Sequence, residues 1–124
     1  MNIYALGAAI VLFAGCYIHI IFAGRRVQAE MQADLTGFHA ALEALLWHAV
    51  SLLLILFFAL SVWAVFARSE MMAGAMLFAG VHAAALGLLC LGVSLKRLNS
   101  WVGMPQAYLF FLIAGGQVGY VLTP

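Results

Sequence analysis

Four long apolar runs, separated by short polar stretches, organise the chain. The first, about residues 2–24, is long enough to cross ~30 Å of hydrocarbon at about 1.5 Å per helical residue, and it is stopped by Arg25-Arg26. Residues 27–38 are the only polar stretch of any length, so their expected place is the membrane interface, with Asp34 or Thr36 as N-cap of the next helix. The second span, about 39–67, begins near Gly37 and exceeds the roughly 20 residues a crossing needs, so its first two turns lie at headgroup level or the helix tilts. Arg68-Ser69-Glu70 is a minimal turn that sets a third span, about 71–95, antiparallel beside the second. Lys96 to Ser100 ends that helix, and Pro105 suits the first turn of a fourth, about 106–122. The pattern predicts an all-α integral membrane four-helix bundle, antiparallel and up-down, forming one domain over residues 1–124.

Composition excludes a soluble alternative, since 68% of the residues are apolar and 7% are charged, against roughly a quarter charged in soluble domains. A formal charge of +1 supplies no basic field for nucleic acid, which is set aside as a partner. The expected surroundings are the lipid bilayer, with other membrane subunits or further copies of the chain. Cys16 and Cys90 both fall in apolar runs and read as small buried hydrophobes. The first run lacks the basic n-region of a cleaved signal and continues past Ala14-Gly15-Cys16, so it is expected to be a retained span. Arg25, Arg26, Lys96 and Arg97 lie on one side of the predicted bundle and only Arg68 on the other. The positive-inside rule then puts the basic loops in the cytoplasm and both termini on the non-cytoplasmic side, and the expected location is a bacterial inner membrane. Aromatic placement agrees, with Trp47 and Trp101 near the basic face and Tyr4, Trp63 and Tyr120 towards the other.

Small residues predict which helices approach. Ala75, Ala79, Ala83 and Gly87 form a ridge at intervals of four on the third span, and Gly115 and Gly119 give the fourth a GxxxG face. These two helices are expected to pack tightly through those residues, so that Gly115→Leu would disrupt the contact.

Ionisable side chains within apolar runs carry whatever chemistry there is, because lipid makes them costly unless paired or functional. His39, Glu43 and His48 cluster where the second span opens, and His19 lies about five residues before the end of the first. Glu43 follows His39 by four and can pair with it along one face; Cys16 and His19, three apart, share a face of the first helix. His19 and His48 fall at similar depth and are candidate axial ligands for a b-type haem. His19, Glu43 and His48 together are a candidate metal or proton-relay site. The structural alternative has each imidazole donating to a carbonyl, or to a serine such as Ser51. His82 and Gln117 form a second polar pair near mid-membrane, best explained as an interhelical hydrogen bond.

No phosphate-binding glycine loop, Gly-x-Ser-x-Gly elbow or CxxC pair is present in the sequence, so phosphoryl transfer, hydrolysis and thiol redox have no motif. Small multidrug exporters share the length and span number but depend on a glutamate in the first helix, where this chain has no carboxylate. The histidine ending the first span, the entry Leu42-Glu43-Ala44-Leu45-Leu46-Trp47-His48, and Pro105 before a last span with Gly115 and Gly116 together resemble the small four-span proteins related to eukaryotic transmembrane protein 256. In the first helix the family's Gly-Ala-x-Gly-Ala-His run is replaced by Ala14-Gly15-Cys16-Tyr17-Ile18-His19. The resemblance implies fold and location but no reaction. The leading expectation is a non-enzymatic accessory or assembly subunit of a larger membrane complex, contacting it through the leucine- and phenylalanine-rich second span. A haem or metal redox protein using His19 and His48 is the second reading, and a small-molecule or proton transporter the third.

Overall fold

The computed structural model describes residues 1–123, with the side chain of Met31 outside the description. All regular structure among the described residues is helical: α1 (Ile3–Cys16), a π-helical segment (Tyr17–Gln28), α2 (Ala29–Asp34), α3 (Gly37–Phe66), α4 (Glu70–Leu98) and α5 (Gln106–Leu122). The first three run on as one 32-residue helix, Ile3–Asp34, which with α3 and α4 makes three helices long and apolar enough to cross a membrane. The fourth apolar helix, α5, is shorter at 17 residues.

The first helix does not stop at Arg25-Arg26. The arginine pair ends the apolar run, but arginine is a good helix former, and the backbone continues through it to Asp34. Arg26 even ties itself to Glu30 one turn on, at 3.7 Å and fully in the open. The connection to α3 is therefore only Leu35-Thr36, both extended, after which Gly37 enters the helix at φ +55, a left-handed conformation that glycine adopts without strain. Thr36 occupies the N-cap position of α3 without a capping bond from its side chain.

The other termini carry recognisable chemistry. Asn2 caps α1 by accepting from the backbone N–H of Tyr4 and Ala5, each at 3.0 Å, and Ser69 caps α4 by accepting from Met72 at 3.1 Å. Asn99 closes α4 in the left-handed conformation, φ 46, where asparagine commonly substitutes for glycine. Pro105 precedes α5 at φ −62, ready for a helical first turn.

The helices form a bundle in which α1 lies between α3 and α5, α4 packs most extensively on α5, and α3 and α4 touch more lightly. Each helix buries one stripe: Ala5, Ala8, Leu12 and Gly15 from α1, Ser51, Leu54, Phe57 and Ser61 from α3, and Ala107, Phe110, Ile113, Gln117 and Tyr120 from α5. From α4 come Ala79, Ala83 and Gly87, with Ala75 only partly buried. One end is stitched across the chain. The Asn2 N–H donates to Val65 O at 3.2 Å, the Asn2 amide to Thr123 Oγ1 at 3.3 Å, and the Tyr120 hydroxyl to Ala67 O at 3.0 Å.

The expected α4–α5 contact differs in its residues. A Cβ on Gly87 would stand 3.1 Å from Ala107 O, and one on Gly80 would stand 3.5 Å from Ala114 O, so these α4 glycines let the backbones approach. Gly115 meets nothing within 4 Å, and Gly119 lies against the Tyr4 ring of α1. The reason is that α5 serves two neighbours. Gly116 and Gly119 admit α1, Ala107 and Ala114 face α4, and Gly115 falls outside both contacts.

Candidate functional site

Where the π-helical segment passes the opening turns of α3, a cleft of about 440 Å³ is walled by His19, Leu35, His39, Leu42, Glu43, Leu46, Trp47 and Val50. The α3 residues recur at helical intervals, so one face of that helix forms the wall. Gly24 makes the approach possible, since a Cβ there would lie 3.7 Å from the Trp47 indole nitrogen. Against this face the His19 ring stacks on Trp47, with centroids 4.3 Å apart and planes 14° from parallel. His19 Nε2 is 3.5 Å from Trp47 O, a long contact, and the same carbonyl accepts a 2.9 Å hydrogen bond from the Ser51 hydroxyl.

Glu43 is partly buried at the polar rim and accepts from the Gln32 side-chain amide at 3.3 Å. His39 lines the same cleft, its ring edge-on to Phe38 at 6.1 Å. The carboxylate thus takes its hydrogen bond from α2 and not from His39 four residues earlier. Gln32 escaped the sequence reading because the first helix was expected to stop at Arg25-Arg26; helix continuity to Asp34 followed by a two-residue break brings that side chain onto α3.

His19 and His48 are not brought together. His48 follows Trp47 by one residue, about 100° round an α-helix, and its side chain is exposed away from the cleft. The expected axial pair, and the triad of His19, Glu43 and His48, therefore lack a common centre; among the described residues no three His, Cys, Asp or Glu side chains are grouped to hold a metal ion. Cys16 and His19 also part company: Cys16 lines a separate apolar groove with Phe13, Tyr17, Ile20, Ile21, Ile55 and Phe58. The wider π-helical turn, which begins between the two residues, advances each residue less round the axis than an α-helix does, so His19 stops short of the face that Cys16 occupies.

The second expected pair is also separate. Gln117 is fully buried and donates through Nε2 to Ser61 Oγ at 3.4 Å, linking α5 to α3, while its Oε1 has no partner. His82 points out of the bundle. Its Nδ1 sits 2.9 Å from Phe78 O one turn back, and its ring lies 4.1 Å from the Phe78 ring. The inward face of α4 is taken by Ala79, Gly80 and Ala83, which leaves residue 82 on the far side.

Fold and site together define an all-helical bundle with three helices long and apolar enough to cross a membrane, a packed interior and its imidazoles at or outside its surface. Comparison with protein-family models, curated proteins and solved structures finds no match.

Proposed function

We propose that this chain is an accessory or assembly subunit of a larger membrane complex. The observation that carries the reading is His82. At about 18 Å from the start of α4 and 24 Å from its end, taking 1.5 Å per residue, its ring lies near the middle of a membrane-length helix and on the outside. With Nδ1–H given to Phe78 O, Nε2 is left as a bare acceptor. Facing hydrocarbon, such an atom is costly unless a neighbouring helix offers a donor. That moves the expected contact surface from the second span to α4. Gly74 and Gly92, which meet nothing within 4 Å, lie on α4 either side of His82 and leave room for another backbone.

The proposal includes a topology with both termini outside and Arg25, Arg26, Lys96 and Arg97 on the cytoplasmic face of a bacterial inner membrane, supported by the charge bias. It also keeps the kinship with the four-span group named above; of the residues that carry the resemblance, His19, Leu42, Glu43, Leu46 and Trp47 line the cleft. Native mass measurement after mild detergent extraction should give an assembly heavier than the 13.3 kDa chain, and His82→Leu should deplete it while helical content is kept. A monodisperse monomer in every mild detergent refutes the reading.

A further inference from the structure

A different observation, the chemistry of the cleft, points to a ligand. Its wall runs from His39 to Val50, about 16 Å along α3, an elongated trough open on one side. Leu35, Leu42, Leu46 and Val50 make the lining apolar, which suits an alkyl chain.

The polar groups of the cleft are His19, His39 and Glu43; Glu43 is its only carboxylate, and among the described residues the sole ion pair is Arg26 with Glu30, so no basic side chain is in ion-pair contact with Glu43. Its one hydrogen bond, from the neutral Gln32 amide, leaves acceptor capacity free. Trp47, in the same wall, offers an aromatic surface to a cation. Gly24 passes the Trp47 indole, and on the same continuous helix the exposed Arg25 and Arg26 come next, with Gln32, which meets Glu43, further out. From Val50 outwards the order is therefore apolar trough, indole and guanidinium groups, then carboxylate, which is the order acyl chain, phosphate, ammonium of an aminophospholipid.

We propose that the cleft binds an ethanolamine phospholipid of the surrounding bilayer, with one acyl chain along Leu42, Leu46 and Val50 and the ammonium group on Glu43. The primary ammonium brings three donors to the carboxylate, whereas a glycerol headgroup brings only hydroxyls and leaves the lipid anionic beside Glu43.

The test is native mass spectrometry of the purified chain from micelles doped equally with dioleoyl phosphatidylethanolamine and dioleoyl phosphatidylglycerol. The parent should retain the ethanolamine lipid in preference, and Glu43→Gln should lower that preference by about two- to fivefold, the scale of one partly exposed charge pair. Glu43→Asp keeps the charge and should keep most of the preference, while Glu70→Gln, at the start of α4 and outside the cleft, should leave it unchanged. Val50→Trp should fill the trough and remove both adducts, with circular dichroism reporting an intact helical fold. Equal retention of the two lipids by the parent overturns the proposal, as does a Glu70→Gln effect matching that of Glu43→Gln. Full lipid retention by Val50→Trp, or occupation of the cleft by a second copy of the chain, overturns it as well.

Discussion

Gly87 and Gly115 provide a matched pair whose substitutions should move stability in opposite directions. In an isolated helix, exchanging either glycine for alanine gains about 0.8–1.0 kcal/mol, because the glycine backbone loses more freedom on ordering. At Gly115 nothing opposes that gain, since a Cβ would meet no atom within 4 Å, so Gly115→Ala should stabilise by about that amount. At Gly87 the same Cβ would stand 2.8 Å from the Phe111 ring and 3.1 Å from Ala107 O. The ring belongs to a partly buried side chain that can swing aside, but the carbonyl is backbone of α5 and yields only if the helices separate. Overpacking of this kind costs about 1–3 kcal/mol, so the net effect of Gly87→Ala runs from near zero to a loss of about 2 kcal/mol. Leucine widens the gap, because the branched side chain at 115 extends into open space while at 87 it must displace α5. Thermal unfolding in one detergent, followed by circular dichroism, ranks the four variants. The expected order is Gly115→Ala, parent, Gly87→Ala, Gly87→Leu, with Gly115→Leu close to the parent. If Gly115→Leu proves less stable than Gly87→Leu, the placement of α5 between α1 and α4 is wrong.

Ser61→Ala should cost about 1–3 kcal/mol, because it leaves both polar atoms of the fully buried Gln117 amide unpartnered. Adding Gln117→Met to Ser61→Ala should restore most of that loss in the same unfolding assay, and failure of the double variant to recover would show that the amide has another role. His48→Leu should leave stability within about 0.5 kcal/mol, as an exposed substitution away from buried features does. His19→Leu should instead change Trp47 fluorescence, read in a background lacking Trp63 and Trp101, since it removes the ring stacked at 4.3 Å; an unchanged spectrum would refute that stacking.

Helix number and order were legible because four apolar runs and the polar breaks between them act locally, and Pro105 opens α5 as expected, whereas the capping bonds come from Asn2 and Ser69, which were not singled out, and Thr36 holds its N-cap position without one. Facing was not, because it depends on which neighbours a helix acquires. Gly115 and Gly119 satisfy a spacing rule, yet that rule is silent on whether a helix packs on one side or two, and α5 packs on two. His82 and Gln117 lie at similar depth in the sequence, but depth fixes height along the bundle and not angle around it. The π-helical turn is the clearest case. Nothing local to Tyr17 announces it, and it alone separates Cys16 from His19 and turns His19 towards α3. Of the interfacial cluster, His19, Glu43 and Trp47 were singled out in advance, whereas the part played by Gln32 required knowing that the helix survives Arg25 and Arg26.

The distribution of polar groups separates a protein that works inside its own bundle from one that works at its surface. An internal site would gather side chains of complementary chemistry on inward stripes, but the inward stripes here carry Ser51, Ser61, Ser94 and Gln117, which tie helices to one another or to their own carbonyls. The imidazoles and Glu43 follow the opposite rule: His39, His48 and His82 are exposed, and His19 and Glu43 edge an open cleft. Lipid sets a steep penalty on this arrangement only where depth is great, so the two ends of the set are not equivalent. His39 and Glu43 stand within the first two turns of α3, where water and headgroups reach them, and need no protein partner. On the proposed membrane placement His82 has no such relief. Its Nε2 is then the group a partner would complete from outside the chain, and the ethanolamine lipid and the partner helix are expected at different places: one at the rim beside Glu43, the other against the middle of α4.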